Sequence, residues 1–338
     1  MLILGIETSC DETSAAIVAD GKNILSNAVF SQIEIHKKFD GVVPEVASRN
    51  HLIKIIEIIE EAMGDVPLTS IDAVAVTNGP GLLGSLLVGL STAKGIAFTS
   101  GIPLIPVNHI EGHMYAPHLV NDIPFPYIGL VASGGHSLIF RADSFHDYEL
   151  MGTTIDDAAG EAFDKVAKVL GLGYPGGPEI DRAAKGGDPE FMKLPRMLAD
   201  RPEDRYNFSY SGLKTAVAFR MKGMTMTPET VKNVAASFQA AAVGALLLKA
   251  GNALADTGIK RLVVSGGVAA NSFLRARLEL MKQDGIEVYT APLEFCGDNA
   301  AMVAGRGDVD YLAGKTGDLR TDAYSRLPFV RKGKRVFE

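Results

Sequence analysis

Two histidines four residues apart, His109 and His113, carry the most specific chemical signal in the sequence. They follow Asn108, a residue type that caps helix N-termini well. On a helix, positions i and i+4 share one face, so both imidazoles can reach a single divalent cation. The run His109-Ile110-Glu111-Gly112-His113 is not the His-Glu-x-x-His of a zinc peptidase, whose Glu directly follows the first His. Here Glu111 lies two positions on, about 200° around a helix at ~100° per residue, and points away. Taken alone, the pair either binds a metal for another purpose or is an ordinary pair of partly buried histidines. Asp298, just after Cys296-Gly297 and at the head of a late helical segment, can complete a site of two His and one carboxylate. As the N-cap of that helix it would need no metal. Cys296 offers a soft ligand, but also fits as a small apolar residue in packing.

Three turns have the composition of anion cradles. The first is Gly5-Ile6-Glu7-Thr8-Ser9-Cys10-Asp11-Glu12-Thr13, the second Val131-Ala132-Ser133-Gly134-Gly135-His136, and the third Val264-Ser265-Gly266-Gly267-Val268-Ala269-Ala270-Asn271. Glycines let a backbone approach a phosphate closely, and helix N-termini add unpaired N–H donors. None of the three is a Walker A or dinucleotide fingerprint. The run Asp156-Asp157-Ala158-Ala159-Gly160-Glu161-Ala162-Phe163-Asp164-Lys165 opens a helix with acids that favour its N-terminus. Asp164 lies beyond that first turn and is a ligand-binding candidate. The loop Gly173-Tyr174-Pro175-Gly176-Gly177-Pro178-Glu179-Ile180-Asp181 ends in a carboxylate suited to ribose hydroxyls.

The elements that must position these residues alternate along the chain. Strands are expected at Leu2–Glu7 and 15–19, a helix at 50–63, a strand at 71–77, a small-residue helix at 82–98, and a strand at 102–107 feeding the histidine helix. After Pro124 and Pro126 the pattern restarts, with strands at Tyr127–Ala132 and 137–142. Helices follow at 155–170 and 231–257, a strand at Arg261–Ser265, a helix at 271–283 and a strand at Glu287–Thr290, with loop-rich sequence up to about residue 213. Each half opens with a hairpin whose turn is rich in Gly, Ser and Thr. That pattern argues for a duplicated α/β architecture of two lobes, 1–123 and 124–338, with a cleft between them. The second lobe would carry a helical insertion at about 155–230, and its last helix is free to pack back on the first.

The 338 residues are 47% hydrophobic, with 36 glycines and no tryptophan, a composition typical of α/β proteins. No uninterrupted apolar run reaches the ~18 residues of a membrane span, and the N-terminus reads as a first strand and not as a signal peptide. Two cysteines, Cys10 and Cys296, fit a reducing cytoplasm and exclude a disulfide scaffold. The net charge of −7 is unevenly spread: residues 165–222 hold eleven Lys/Arg against seven Asp/Glu, and 326–338 hold five basic residues against one acid. Such patches can meet a phosphate backbone.

Taken together, these segments resemble the TsaD/Kae/Qri family of the actin–hexokinase–Hsp70 (ASKHA) superfamily. The resemblance also covers Gly41-Val42-Val43-Pro44-Glu45-Val46-Ala47-Ser48-Arg49, 78–84, 174–178 and 209–214. Val131 and His136 are of the bacterial type, which speaks against a fourth protein ligand at position 131. The resemblance implies transfer of a threonylcarbamoyl group from threonylcarbamoyl-AMP to N6 of the adenosine beside the anticodon (position 37) of tRNAs reading ANN codons. It implies that His109, His113 and Asp298 hold one divalent metal, Fe2+ or Zn2+. It places Val131, Ala132, Ser133, Gly134 and Gly135 at the phosphate and acyl end, and Asp164, Gly177, Asp181 and Asn271 at the adenosine, where ATP, ADP or AMP can also sit. Asp11 and Glu12 are candidates for orienting the attacking amine or taking its proton. The implied partners are tRNA, a TsaB paralogue, a TsaE ATPase and a TsaC-type enzyme that supplies the adenylate, all cytoplasmic, with no membrane. Three rivals remain: a peptidase, which Glu111 disfavours, a small-molecule kinase on the same fold, which has no need of the metal residues, and a catalytically silent scaffold.

Overall fold

The computed structural model describes residues 1–198 and 201–326, and the backbone alone of two short strands, Phe329–Arg331 and Lys334–Val336. The basic tail beyond Arg326 lies outside the residues whose side chains are described. The chain forms two compact units, Met1–Ile123 with the chain from Ala291 on, and Pro124–Thr290.

The first unit holds strands β1 (Leu2–Glu7), β2 (Glu12–Ala19), β3 (Asn23–Ser31), β4 (Ala73–Gly79) and β5 (Leu104–Asn108), in the order β3-β2-β1-β4-β5. The first three form an antiparallel meander, and β4 and β5 add parallel to β1. Its helices are α1 (Ile33–His36), α2 (Pro44–Met63), α3 (Leu83–Ser100) and α4 (His109–Tyr115), with α10 (Ala300–Leu312) near the end of the chain.

Successive residues of β1 face opposite sides of the sheet. Leu4 and Ile6 join Ile17, Ile55, Ile59, Val74, Leu86 and Leu90 in the core beneath α2 and α3. Gly5 faces α10, where an added Cβ would sit 2.3 Å from the Ala300 carbonyl oxygen. The small residues of α10 therefore let it lie directly on the sheet and bring the preceding Asp298 to the end of β1.

The second unit repeats this plan. Strands β6 (Tyr127–Ala132), β7 (Ser137–Ser144), β8 (Asp147–Thr153), β9 (Arg261–Ser265) and β10 (Glu287–Thr290) are ordered β10-β9-β6-β7-β8. A meander again comes first, and two parallel strands add beside its first strand. Helices α5 (Ala159–Leu170), α6 (Gly176–Ala183), α7 (Ser211–Arg220), α8 (Pro228–Thr257) and α9 (Ser272–Gln283) complete it. This is the duplicated α/β plan expected from the sequence.

Several expected boundaries move for physical reasons. Strands β3 and β8 were not anticipated: each is the outer strand of its meander, half exposed and rich in polar residues. Helix α2 starts at Pro44, a favourable first-turn residue, whereas its apolar spacing becomes regular only later. Helix α6 lies inside the stretch read as loop-rich. By composition, α8 is long and apolar enough to cross a membrane. Here Val234, Phe238, Val243, Leu246 and Leu254 of α8 are buried within the second unit.

Candidate metal centre and nucleotide-facing turns

The Asn108 side chain accepts from the N–H groups of Ile110 (2.8 Å) and Glu111 (3.3 Å), fixing the start of α4. His109 and His113 are both buried, with ring centroids 4.6 Å apart. Asp298 Oδ1 lies 3.0 Å from His113 Nε2 and 3.6 Å from His109 Nε2, and the three residues can offer ligand atoms all within 4.8 Å of one another. Asp298 is not the cap of α10. That role belongs to Asn299, whose side chain accepts from Met302 N at 3.0 Å, so the Asp298 carboxylate is turned to the histidines. Neither nitrogen of buried His113 makes a hydrogen bond. Nε2 approaches Asp298 closely without hydrogen-bond geometry, as two ligands of one ion would. The donor set fits a divalent cation.

Behind the pair stands a residue the sequence reading passed over. Glu7 is fully buried at the end of β1, and its Oε2 lies 3.2 Å from His109 Nδ1. Thr77 Oγ1 donates to the same oxygen at 2.6 Å, and Ser9 N–H donates to Oε1 at 2.5 Å. A carboxylate on Nδ1 fixes the tautomer and leaves Nε2 for a metal. The available signal was an acid closing an otherwise apolar strand. Burial works to raise the Glu7 pKa, but the charge and hydrogen bond of His109, with Thr77, hold it below the usual range. Burial likewise opposes protonation of His109, and Asp298 and Glu7 outweigh it, raising the ring to about 9.

Glu111 does point away: it pairs with Arg306 of α10, with Oε2 2.6 Å from Nη2 and 3.0 Å from Nε. Cys296 is buried, its thiol directed at the Pro292 carbonyl (3.3 Å), and it is not part of the ligand set. In the turn after β1, Asp11 is buried and Glu12 half-buried. Desolvation, then the charges of Asp11 and Asp298, push the Glu12 carboxyl well above its usual range. The same Asp298 charge also raises the Cys10 thiol, after burial and Asp11. The acidic turn therefore lies within electrostatic reach of the metal ligands.

In the second unit, β6 and β9 are parallel neighbours with Val131 opposite Ser265, so the turns that follow them emerge side by side. That is where open α/β sheets bind ligands. The side chains of Val131 and Ala132 are fully buried, whereas Gly134 and Gly135 are exposed. Helix α5 docks onto this turn, with Gly160 N–H on the Ser133 carbonyl (3.1 Å) and Glu161 N–H on that of Gly134 (3.1 Å). Asp164 Oδ1 accepts from Gly176 N–H at 2.7 Å and so holds the start of α6. Further along α6, Asp181 accepts from Ser272 Oγ at 2.7 Å. Asn271 caps α9 through Leu274 N–H (3.0 Å) and donates to Gln239 at 2.9 Å. Gly177, at the start of α6, has open space where a Cβ would be. All these second-unit residues lie on one hydrogen-bonded ring of turns and helix N-termini, and Asp164, Asp181 and Asn271 make structural bonds within it.

The sequence model of the family described as TsaD: tRNA N6-adenosine threonylcarbamoyltransferase matches residues 23–305. The chain belongs to this family. The TsaD-family chain is 50% identical to the tRNA N6-adenosine threonylcarbamoyltransferase of Treponema denticola over 99% of its own length and 100% of the relative's. It is 49% identical to the enzyme of the same name from Geobacter sp., over 100% and 99%. Among solved structures, full-length HypF in a phosphate- and nucleotide-bound form aligns with a TM-score of 0.61 at 17% identity, over 96% of this chain and 47% of HypF. The (R)-2-hydroxyglutaryl-CoA dehydratase component A of Acidaminococcus fermentans aligns at 0.56 and 15%, over 92% and 99%. These two distant likenesses speak for the fold alone, which is that of the ASKHA superfamily.

A second carboxylate whose partners the local pattern does not reveal is Asp156. Asp156 accepts from Ser209 Oγ (2.5 Å), Tyr210 N–H (2.7 Å) and both Ser211 N–H (3.3 Å) and Oγ (2.8 Å). Burial opposes ionisation, and these bonds overcome it to hold the Asp156 pKa low. The carboxylate thereby ties the start of α7 to the approach to α5. An acid run that reads as a helix N-terminus gives no sign of so distant a partner.

Proposed function

We propose that this chain transfers the threonylcarbamoyl group of threonylcarbamoyl-AMP to N6 of the adenosine beside the tRNA anticodon, giving t6A and AMP. The single observation that carries the reading is the His109–His113–Asp298 set with Glu7 behind it, in a chain of this family. The N6 lone pair forms a C–N bond to the carbamoyl carbon, the bond from that carbon to the phosphate oxygen breaks, AMP leaves with the electron pair, and N6 loses a proton. His109, His113 and Asp298 would hold a divalent cation, Fe2+ or Zn2+, which would supply Lewis acidity to the carbamoyl or carboxylate oxygens. Asp11 and Glu12 orient the amine or take up its proton. In the second unit the turn Ser133–Gly135 and the N-termini of α5, α6 and α9 hold the phosphate and adenosine, through backbone donors more than through Asp164, whose bond to Gly176 shapes the loop. ATP, ADP or AMP would occupy the same place. The reaction is cytoplasmic, where tRNA and a TsaC-type adenylate source meet.

The proton on His109 must leave for a metal to bind. Below pH about 9, metal uptake should therefore release about one proton from this ring, and affinity should climb as pH rises toward 9. In the metal-free protein the sign is opposite for stability: the raised pKa stabilises the fold fully below the ordinary value of 6.5, and this contribution is lost as pH rises through about 9. Glu7→Gln should lower metal affinity about 10–100-fold and reduce the proton release, read by calorimetry in buffers of different ionisation enthalpy. Unchanged affinity would remove Glu7 from the site.

A TsaB paralogue and a TsaE ATPase complete the system. Leu52, Ile53 and Ile56 of α2 and Leu83 and Leu87 of α3 are exposed on two helices packed against each other, an apolar face suited to the paralogue. Ile53 is 71% exposed and so buries little surface in the chain alone. Ile53→Asp should abolish co-elution with the paralogue while leaving thermal unfolding of the chain alone within about 0.5 kcal/mol. Persistent co-elution would move the interface elsewhere.

The whole reading is tested by transfer of label from threonine and bicarbonate to unmodified tRNA, with partners and ATP, in the presence or absence of this chain. Product that needs the chain supports it; adenylate that forms but never reaches tRNA overturns it.

A further inference from the structure

The basic run 165–222 separates, in three dimensions, into two kinds of cation. Lys165 pairs with Asp157 and Glu161, Arg182 with Glu179, and Arg205 with Asp256. Lys214, Arg220 and Lys222 have no ion pair among the described residues. Residues 205–228 hold four basic residues and no acid at all. On the same short stretch the Phe219 ring is 69% exposed, and Lys222 Nζ lies 5.4 Å from its centroid. Phe219 and Lys222 lie three residues apart at the end of α7, so ring and charge share one face.

The arm that carries them is fixed. The four hydrogen bonds of Asp156 anchor its start, and Leu213 and Val217 are buried beneath it. Met197 packs on Gly212, where an added Cβ would meet its terminal methyl at 2.5 Å, and brings exposed Arg196 to the same neighbourhood. An exposed aromatic plane among unpaired cations, in a chain of net charge −7, is the composition of a platform for unpaired nucleotides: the ring stacks on a base and the cations meet phosphates.

We infer that the end of α7, with Phe219 as stacking plane and Arg220, Lys222 and Lys214 as phosphate contacts, is a docking surface for single-stranded RNA. It rests on the transfer reading for the identity of that RNA, an unmodified anticodon loop. Charge decides against a protein occupant, since a hydrophobic partner would have to desolvate three unpaired cations around one ring.

The test is binding of unmodified anticodon stem–loop RNA to the full chain, with an RNA duplex lacking a loop as comparison. Phe219→Ala should raise Kd for the stem–loop about tenfold and leave duplex affinity unchanged, while Phe219→Tyr retains binding. Arg220→Gln and Lys222→Gln should each lower the salt slope of log K by about 0.7. The ring is largely exposed, so the variants should fold, which thermal unfolding checks. Stem–loop affinity unaltered in Phe219→Ala, or restored in full by Phe219→Leu, would overturn the platform. Because binding is read without transfer, the two readings fail separately. Wild-type transfer with an indifferent Phe219 removes only the platform, and loop binding that depends on Phe219 but leads to no t6A removes only the transferase.

Discussion

His113→Ala is expected to lose the divalent metal proposed for this site and, with it, about a thousandfold in transfer rate, the several kcal/mol that a Lewis acid contributes at a reacting acyl group. The fold should survive. His113 is fully buried, yet neither ring nitrogen makes a hydrogen bond, so truncation orphans no partner and leaves only a cavity costing about 2–4 kcal/mol. That combination separates a ligand from a structural histidine, whose removal would strand the group it bonds. His51 is such a comparison: its Nε2 lies 2.9 Å from the Cys10 carbonyl and its Nδ1 2.7 Å from Thr13 Oγ1. His51→Ala should therefore cost stability at once. Asp298→Asn gives an independent check, since the residue is partly exposed and does not cap α10. The measurements are metal content by elemental analysis, circular dichroism, and single-turnover transfer. Full metal occupancy in both His109→Ala and His113→Ala would sink the assignment. Metal lost with transfer intact would make the ion structural.

How far the sequence carried this reading depends on the range of the interaction in question. The i, i+4 histidines, the Asn108 cap and the Gly-rich turns are local patterns, and the structure holds each of them where the spacing places it. The misplacement of Glu111 for a peptidase was equally local, and its pairing with Arg306 agrees with the helix geometry. Asp298 illustrates the limit. Sequence left it balanced between cap and ligand, and in the structure the neighbouring Asn299 takes the cap. Glu7 and Asp156 were passed over because their partners are 102 and more than 50 residues away. Strands β3 and β8 were missed because an edge strand facing solvent carries too few apolar residues to show a period of two.

The third turn offers the second large effect. Gly266 has φ 89° and ψ 164°, a region of backbone space that is essentially glycine-only. An added Cβ would stand 2.4 Å from the carbonyl oxygen of Ala132. That oxygen belongs to the last residue of β6, directly beside β9 in the sheet, so neither side can retreat without breaking strand pairing. Gly266→Ala should therefore cost more than about 3 kcal/mol, the sum of backbone strain and a backbone clash. Because the same residue sets the path from β9 into the turn ahead of Asn271 and α9, nucleotide affinity should fall with stability. Gly267→Ala is the matched control: one residue on, its added Cβ meets nothing within 4 Å, and its φ is not in the left-handed region. Its stability should stay within about 0.5 kcal/mol. Its effect on AMP binding then reads only how closely a phosphate approaches that backbone. If Gly267→Ala weakens AMP at unchanged stability, the turn is a phosphate cradle. If AMP binds it as tightly as the parent, the glycines of this turn serve the packing of β6 against β9, and the anion belongs to the Ser133–Gly135 turn alone.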